Sequence, residues 1–199
     1  MILLIYILSL LNVNEIESTQ GCLQIDIMLV GDLSGSIDGN EYIIADAYDA
    51  FVNRFELADN TMRIGAVVFS DNTFILSHLT STKNILVDRI NYMRTHRLGG
   101  TTNMYGALDF VWKEFKQNGR KNVRKMIIIL SDGEVDHPEE TAIIIEQMKL
   151  ESNIEICAVY IDTYSGKEEY MANISNTYCY VSTSYQALIF ELERLDICF

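Results

Sequence analysis

Cations, proline and tryptophan are scarce in this chain, and its cysteines do not cluster. Of 199 residues, 15 are Lys or Arg against 28 Asp or Glu, a formal net charge of −13. A phosphate backbone needs a basic face, so nucleic acid is not an expected partner. The acid excess is compatible with a bound divalent cation, but alone it argues only for solubility. One proline and 11 glycines exclude collagenous and proline-rich linker sequence. The four cysteines, Cys22, Cys157, Cys179 and Cys198, form no CxxC pair, which removes zinc-ribbon and thioredoxin-type readings. There is no GxGxxG, no GxxxxGK[ST] and no GxSxG, so dinucleotide, phosphate-loop and serine-hydrolase signatures are missing. No apolar run is long enough to span a bilayer.

What is present is a core. Apolar residues make up 49% of the chain and aromatics 10%, enough to bury a sizeable interior and exclude disorder. Ile2 to Leu11 is almost wholly apolar and is broken by Asn12 and Asn14. That is the length of a signal-peptide h-region, although no Lys or Arg precedes it and no clean small-x-small cleavage site follows. Residues 1–20 read as a signal peptide ahead of one domain at 21–199; a signal anchor and a buried first strand are the alternatives. Cys22 and Cys198 flank the domain, and domain termini often lie close together, so in a secreted protein these two are expected to pair. Cys157 and Cys179 sit in apolar strand-like runs and read as free buried thiols.

Strand-like and helix-like segments alternate. Gln24–Gly31, Met62–Phe69, Val123–Leu130, Ile154–Ile161 and Tyr178–Ser182 are expected strands. Thr73–Ser77 follows an Asp71-Asn72 turn as a short return strand, which implies one antiparallel hairpin at a sheet edge. Helical spacing covers Asp38–Leu57, Lys83–Met93, Met104–Phe115, Glu139–Leu150, Glu168–Ile174 and a closing helix from Ser184 to Ile197. Asp38 is the expected cap of the first helix. The pattern predicts an α/β fold: a doubly wound, mostly parallel six-stranded sheet with helices on both faces. In such a sheet ligands bind beyond the carboxyl ends of the strands.

The loops at those ends carry oxygen donors. Asp32-Leu33-Ser34-Gly35-Ser36 places one carboxylate and two hydroxyls at alternate positions. Hard oxygen donors suit Mg²⁺, Mn²⁺ or Ca²⁺, though a polar helix-capping loop would use the same residues. Gly99-Gly100-Thr101-Thr102-Asn103 precedes a helix, and Ser131-Asp132-Gly133-Glu134 follows the most apolar strand.

DLSGS, LGGTTNMYGAL and IIILSDGE, in that order and spacing, resemble a von Willebrand factor type A domain over roughly residues 23–197. The resemblance implies that family's Rossmann-like fold and its metal-ion-dependent adhesion site. Asp32, Ser34 and Ser36 match the DxSxS; Thr102 matches the loop threonine, with Thr101 the alternative; Asp132 matches the aspartate of the third loop. It further implies a non-enzymatic, secreted or cell-surface module that uses Mg²⁺ to grip an acidic residue of a matrix or cell-surface protein. An intracellular scaffold of the same fold is the alternative function, and a Mg²⁺-dependent hydrolase is a remoter one, since no base-and-nucleophile pair is evident.

Several residues carry milder expectations. Asp26 reads as a charge at the edge of the core, and Asp136 and His137 as solvated loop, with the rim of the ligand site as the alternative. His78 and His96 have no partner at metal-ligand spacing and read as surface residues. Met28, Met62, Met104, Met126, Met148 and Trp112 read as core. Tyr178, Tyr180 and Tyr185 form either an exposed patch or strand packing. Asn173-Ile174-Ser175 is an N-glycosylation sequon, usable in a secretory pathway.

Overall fold

The computed structural model describes residues 24–37, 39–161, 166–176 and 179–197. The expected leader, the Cys22–Cys198 pair, Asp38 and Tyr178 lie outside these residues. Four strands of eight residues, β1 (Ile25–Asp32), β2 (Met62–Phe69), β4 (Arg124–Ser131) and β5 (Ile154–Ile161), run parallel with the shorter β6 (Tyr180–Thr183). Among the described residues only β3 (Thr73–Thr80) is antiparallel, at one edge. The spatial order is β3-β2-β1-β4-β5-β6. From β1 the chain winds outward to β3, then returns beside β1 as β4 and winds the other way. The carboxyl ends of β1 and β4 therefore form the topological switch point, where departing loops diverge and leave a crevice.

Alternation along the strands splits the core in two. Ile25, Ile27 and Leu29 face helices α1 (Glu41–Asn53), α2 (Lys83–Met93) and α6 (Leu188–Arg194). Met28 and Val30 face α3 (Met104–Asn118), α4 (Pro138–Ser152) and α5 (Glu168–Ile174). All eight residues of β1 are buried, as a central parallel strand covered on both faces requires. Gly65 permits a tight spot there: a Cβ would stand 2.5 Å from Met28 Sδ and 3.0 Å from the Leu79 nitrogen. The register of β3 against β2 shifts beside it, between Ile64 and Val67. Among the described residues no helix is long and apolar enough to cross a membrane.

Several local expectations need correction. Cys157 and Cys179 are not free thiols: they form a disulfide, with Cα atoms 4.7 Å apart. Cys157 lies in β5 and Cys179 just before β6, and Ala158 N–H donates to Cys179 O at 3.1 Å. Strand adjacency brings the sulfurs together, and nothing in their spacing announced it. The closing helix is shorter than expected. After Arg194 the chain leaves helical geometry, and the Arg54 guanidinium takes Leu192 O at 2.7 Å and Leu195 O at 3.0 Å. Arginine thus satisfies carbonyls that a longer helix would have used.

Asp26 is fully buried in β1, beyond an edge-of-core position. Arg63 donates two hydrogen bonds to it, and Arg120 donates from both its backbone and side chain. Burial pushes its carboxyl up, but these hydrogen bonds outweigh that and hold it below the usual range. His78 is exposed, as expected of a surface residue, and its Nδ1 lies 2.8 Å from buried Glu114. Trp112 is half-buried rather than core, donating to Ser152 at 3.1 Å with Lys116 over its ring. The five methionines are all buried, as expected.

Candidate functional site

Asp32 closes β1, and Asp132 directly follows Ser131, the last residue of β4. Adjacent strands therefore bring two carboxylates to the switch point, both 0% exposed. Their loops interlock. Ser131 Oγ–H donates to Asp32 Oδ2 at 2.6 Å, and Ser34 N–H donates to Asp32 Oδ1 at 2.9 Å. The Ser34 and Ser36 hydroxyls are 3.2 Å apart; Ser34 is buried and Ser36 is exposed. Glu134 N–H donates to Asp132 Oδ1 at 3.2 Å. Asp32 is thus oriented by two neutral donors, leaving the hydroxyl row of Ser34 and Ser36 at the mouth.

The second loop joins both others. Gly35 N–H donates to Gly100 O at 3.0 Å. Gly100 has φ +84°, and a Cβ there would strike the Asp71 carboxylate, so glycine is required on two counts. Asp71 also accepts from Thr101 N–H, and Asn103 caps α3 by accepting from Gly106 N–H at 2.9 Å. Thr102 is the buried threonine of the pair, at 7% exposure, while Thr101 is exposed. Thr102 N–H donates to Asp136 Oδ2 at 3.0 Å, and Asp136 N–H returns a bond to Thr102 O at 3.1 Å. Asp136 is exposed in its loop, as read from sequence, and there it also ties the second loop to the third.

The electrostatics follow from burial. Desolvation pushes Asp32 up to about 6, over the lowering from its Ser131 and Ser34 hydrogen bonds, and the charge of Asp132 adds the smallest contribution to the rise. Tyr48 is fully buried behind Asp32, and burial followed by that carboxylate drives its hydroxyl well above the usual value. Tyr185 is half-buried against the core rather than part of an exposed patch, and burial first, then Asp132, Asp32 and Glu41, raise its hydroxyl. Among the described residues no group of three or more His, Cys, Asp or Glu side chains forms a metal centre. The donors gathered here are two carboxylates and three hydroxyl side chains. Such a set suits a hard cation that keeps a coordination position for an outside ligand.

What sequence reasoning missed is the positioning role of Ser131, Asp136, Asp71 and Asn103, residues it had placed only in loops and turns. Of these, Asn103 had a readable signal, an Asn directly before a helical apolar pattern.

This fold and this arrangement of loops define a class. The chain belongs to the von Willebrand factor type A domain family, whose pattern matches residues 26–193. It is 28% identical over 165 residues to the collagen alpha-6(VI) chain of Mus musculus, a match covering 80% of this chain and 7% of the collagen chain. The chain thus spans a small part of that relative. Among solved structures it resembles the manganese-loaded TRAP protein of Plasmodium vivax, with TM-score 0.74 and 20% identity over 86% of this chain and 73% of that one. It also resembles proximal thread matrix protein 1 of the mussel byssus with a zinc-occupied MIDAS motif, with TM-score 0.69 and 21% identity over 88% and 45% of the respective chains. At these identities the structural likeness establishes a shared fold.

Proposed function

We propose that the chain is a secreted or cell-surface adhesion module, not an enzyme, that grips an acidic residue of a protein ligand through a divalent cation. Asp32, Ser34, Ser36, Thr102 and Asp132 hold the ion, with Mg²⁺ as the resident and Mn²⁺ or Ca²⁺ able to use the same donors. The observation that carries this reading is the pair of fully buried carboxylates at the switch point, with the buried Ser34 hydroxyl bonded to that of exposed Ser36 beside them. Two like charges buried together are costly unless a cation compensates them. When bound, the cation supplies local positive charge on an otherwise acidic molecule and a position that a ligand carboxylate can enter.

The chain's own residues have separable tasks. Ser131 and the Ser34 amide orient Asp32; Asp136 holds the Thr102 backbone; Gly100 lets the second loop approach Gly35. An extracellular setting is supported by the Cys157–Cys179 disulfide, which persists in oxidising compartments, and by the likeness to a collagen VI chain. Asn173 is exposed on α5, so a glycan on its sequon would project to solvent. The partner class is a matrix or cell-surface protein presenting Glu or Asp. The test is capture from a matrix extract on immobilised protein with Mg²⁺ or with EDTA, using wild type, Ser34→Ala and Asp132→Ala. Capture is expected only by wild type with Mg²⁺; equal capture in EDTA refutes the reading.

A further inference from the structure

We infer that the ligand's acidic residue is accompanied by a large apolar side chain, one or two residues away, that enters a groove beside the cation loops. The inference rests on the cation-dependent reading above and specifies the ligand further. The groove has a volume of about 180 Å³ and lies between β3 and α2. Its lining includes Leu33, Val68, Phe74, Tyr92, His96 and Leu98. Drug-sized ligands occupy pockets of about 300 Å³ and more, so this space suits a single side chain of a longer polymer.

Three observations place that side chain beside the acid. First, groove and cation loops share backbone. Leu33 stands between Asp32 and Ser34, and Leu98 directly precedes the two glycines that meet Gly35. An extended ligand advances about 3.3 Å per residue, so a neighbour of the acid reaches the groove. Second, the groove is flanked by aromatic surface that folding leaves uncovered: Phe74 is 44% exposed and Tyr92 is 58% exposed. His96 stacks on Tyr92 at 3.5 Å between ring centroids, which fixes this wall. Third, a cation stands beside the groove in a chain of net charge −13. Of the other cations in residues 83–97, Arg94 pairs with Asp46 and Asp49 and Lys83 with Glu56; Arg97 is the one next to the lining. Arg97 is exposed between His96 and Leu98, complementary to an acidic ligand segment.

The test is selection from a displayed heptapeptide library with a fixed central Glu, panned on the full chain in Mn²⁺ and eluted with EDTA. Parallel selections use the Phe74→Ser/Tyr92→Ser double variant and Ile143→Ser. Ile143 is 59% exposed on α4, across the sheet, and serves as the control. Wild type and Ile143→Ser are expected to enrich Phe, Tyr, Trp, Leu or Ile at one fixed position beside the Glu. The double variant should lose that enrichment, still require the Glu, and bind a selected peptide about tenfold more weakly, the size expected for uncovering part of one apolar side chain. The inference is overturned if no position enriches, if the double variant enriches equally, or if apolar peptides stay bound in EDTA. It is also overturned if wild type self-associates in sedimentation and the double variant does not, because the occupant is then a second copy. Absence of any Mn²⁺-dependent retention on wild type refutes the cation reading itself. Retention without apolar enrichment refutes only the groove.

Discussion

Asp32→Asn should make the cation-free protein more stable while removing its response to cations. In the folded chain Asp32 titrates near 6 against an ordinary value of 3.8, because it is buried beside Asp132. At pH 7 it is ionised in both folded and unfolded states. The difference of about 2 units then corresponds to about 3 kcal/mol of destabilisation. Asparagine removes that cost and can keep an acceptor for the Ser34 amide. It forfeits the charge-assisted bond from Ser131, a loss of about 1–2 kcal/mol. The net expectation in EDTA is a gain of about 1–2 kcal/mol, read by urea unfolding. The sign with pH also follows. A carboxyl raised in the folded state costs nothing below 3.8, costs progressively more as pH rises towards about 6, and exerts its full penalty above that. Cation-free wild type should therefore gain stability from this group on acidification from pH 7, and the variant should lack that component. Saturating Mn²⁺ should stabilise wild type and leave the variant unchanged. A variant less stable than wild type in EDTA, with the pH slope retained, would refute the account.

Other expectations concern the supports. Asp136→Ala removes the acceptor that holds Thr102, and Mn²⁺ affinity measured by titration calorimetry should fall about 10–100-fold with little change in thermal midpoint. Arg120→Ala takes the Arg120 guanidinium from buried Asp26 while leaving the backbone N–H donor, and should cost about 3 kcal/mol in urea unfolding; a loss below 1 kcal/mol contradicts the clamp. Because Asp26 is held below its ordinary value, its contribution is present above pH 3.8 and is lost as pH falls through the lower folded value, so acid unfolding should shift upward in this variant. Replacing Cys157 and Cys179 by Ala should cost about 3 kcal/mol, the loop-closure value for a separation of 22 residues, and thiol labelling of the denatured, unreduced chain should find neither sulfur free.

Much of the molecule was legible in local patterns. Lys83–Met93 as a helix and Met62–Phe69 and Ile154–Ile161 as strands coincide with the observed elements, because their apolar periods are long and uninterrupted. The edge hairpin was readable from Asp71-Asn72, and the three oxygen-rich loops from their place after strands. The closing helix was not: its apolar spacing continues to Ile197, but Arg54, distant in sequence, takes its carbonyls and ends it.

Local side-chain chemistry thus determined the α/β alternation, the loops at the strand ends and which residues there could offer oxygen to a cation. Only the tertiary structure decided the rest. It pairs Cys157 with Cys179, sets Thr102 rather than Thr101 inward, makes Asp136 a brace, and gives buried Asp26 two arginines. Each of these depends on strand order, which places residues far apart in sequence within hydrogen-bond or covalent reach. A linear pattern records which groups the chain owns; burial and adjacency determine which of them must find one another.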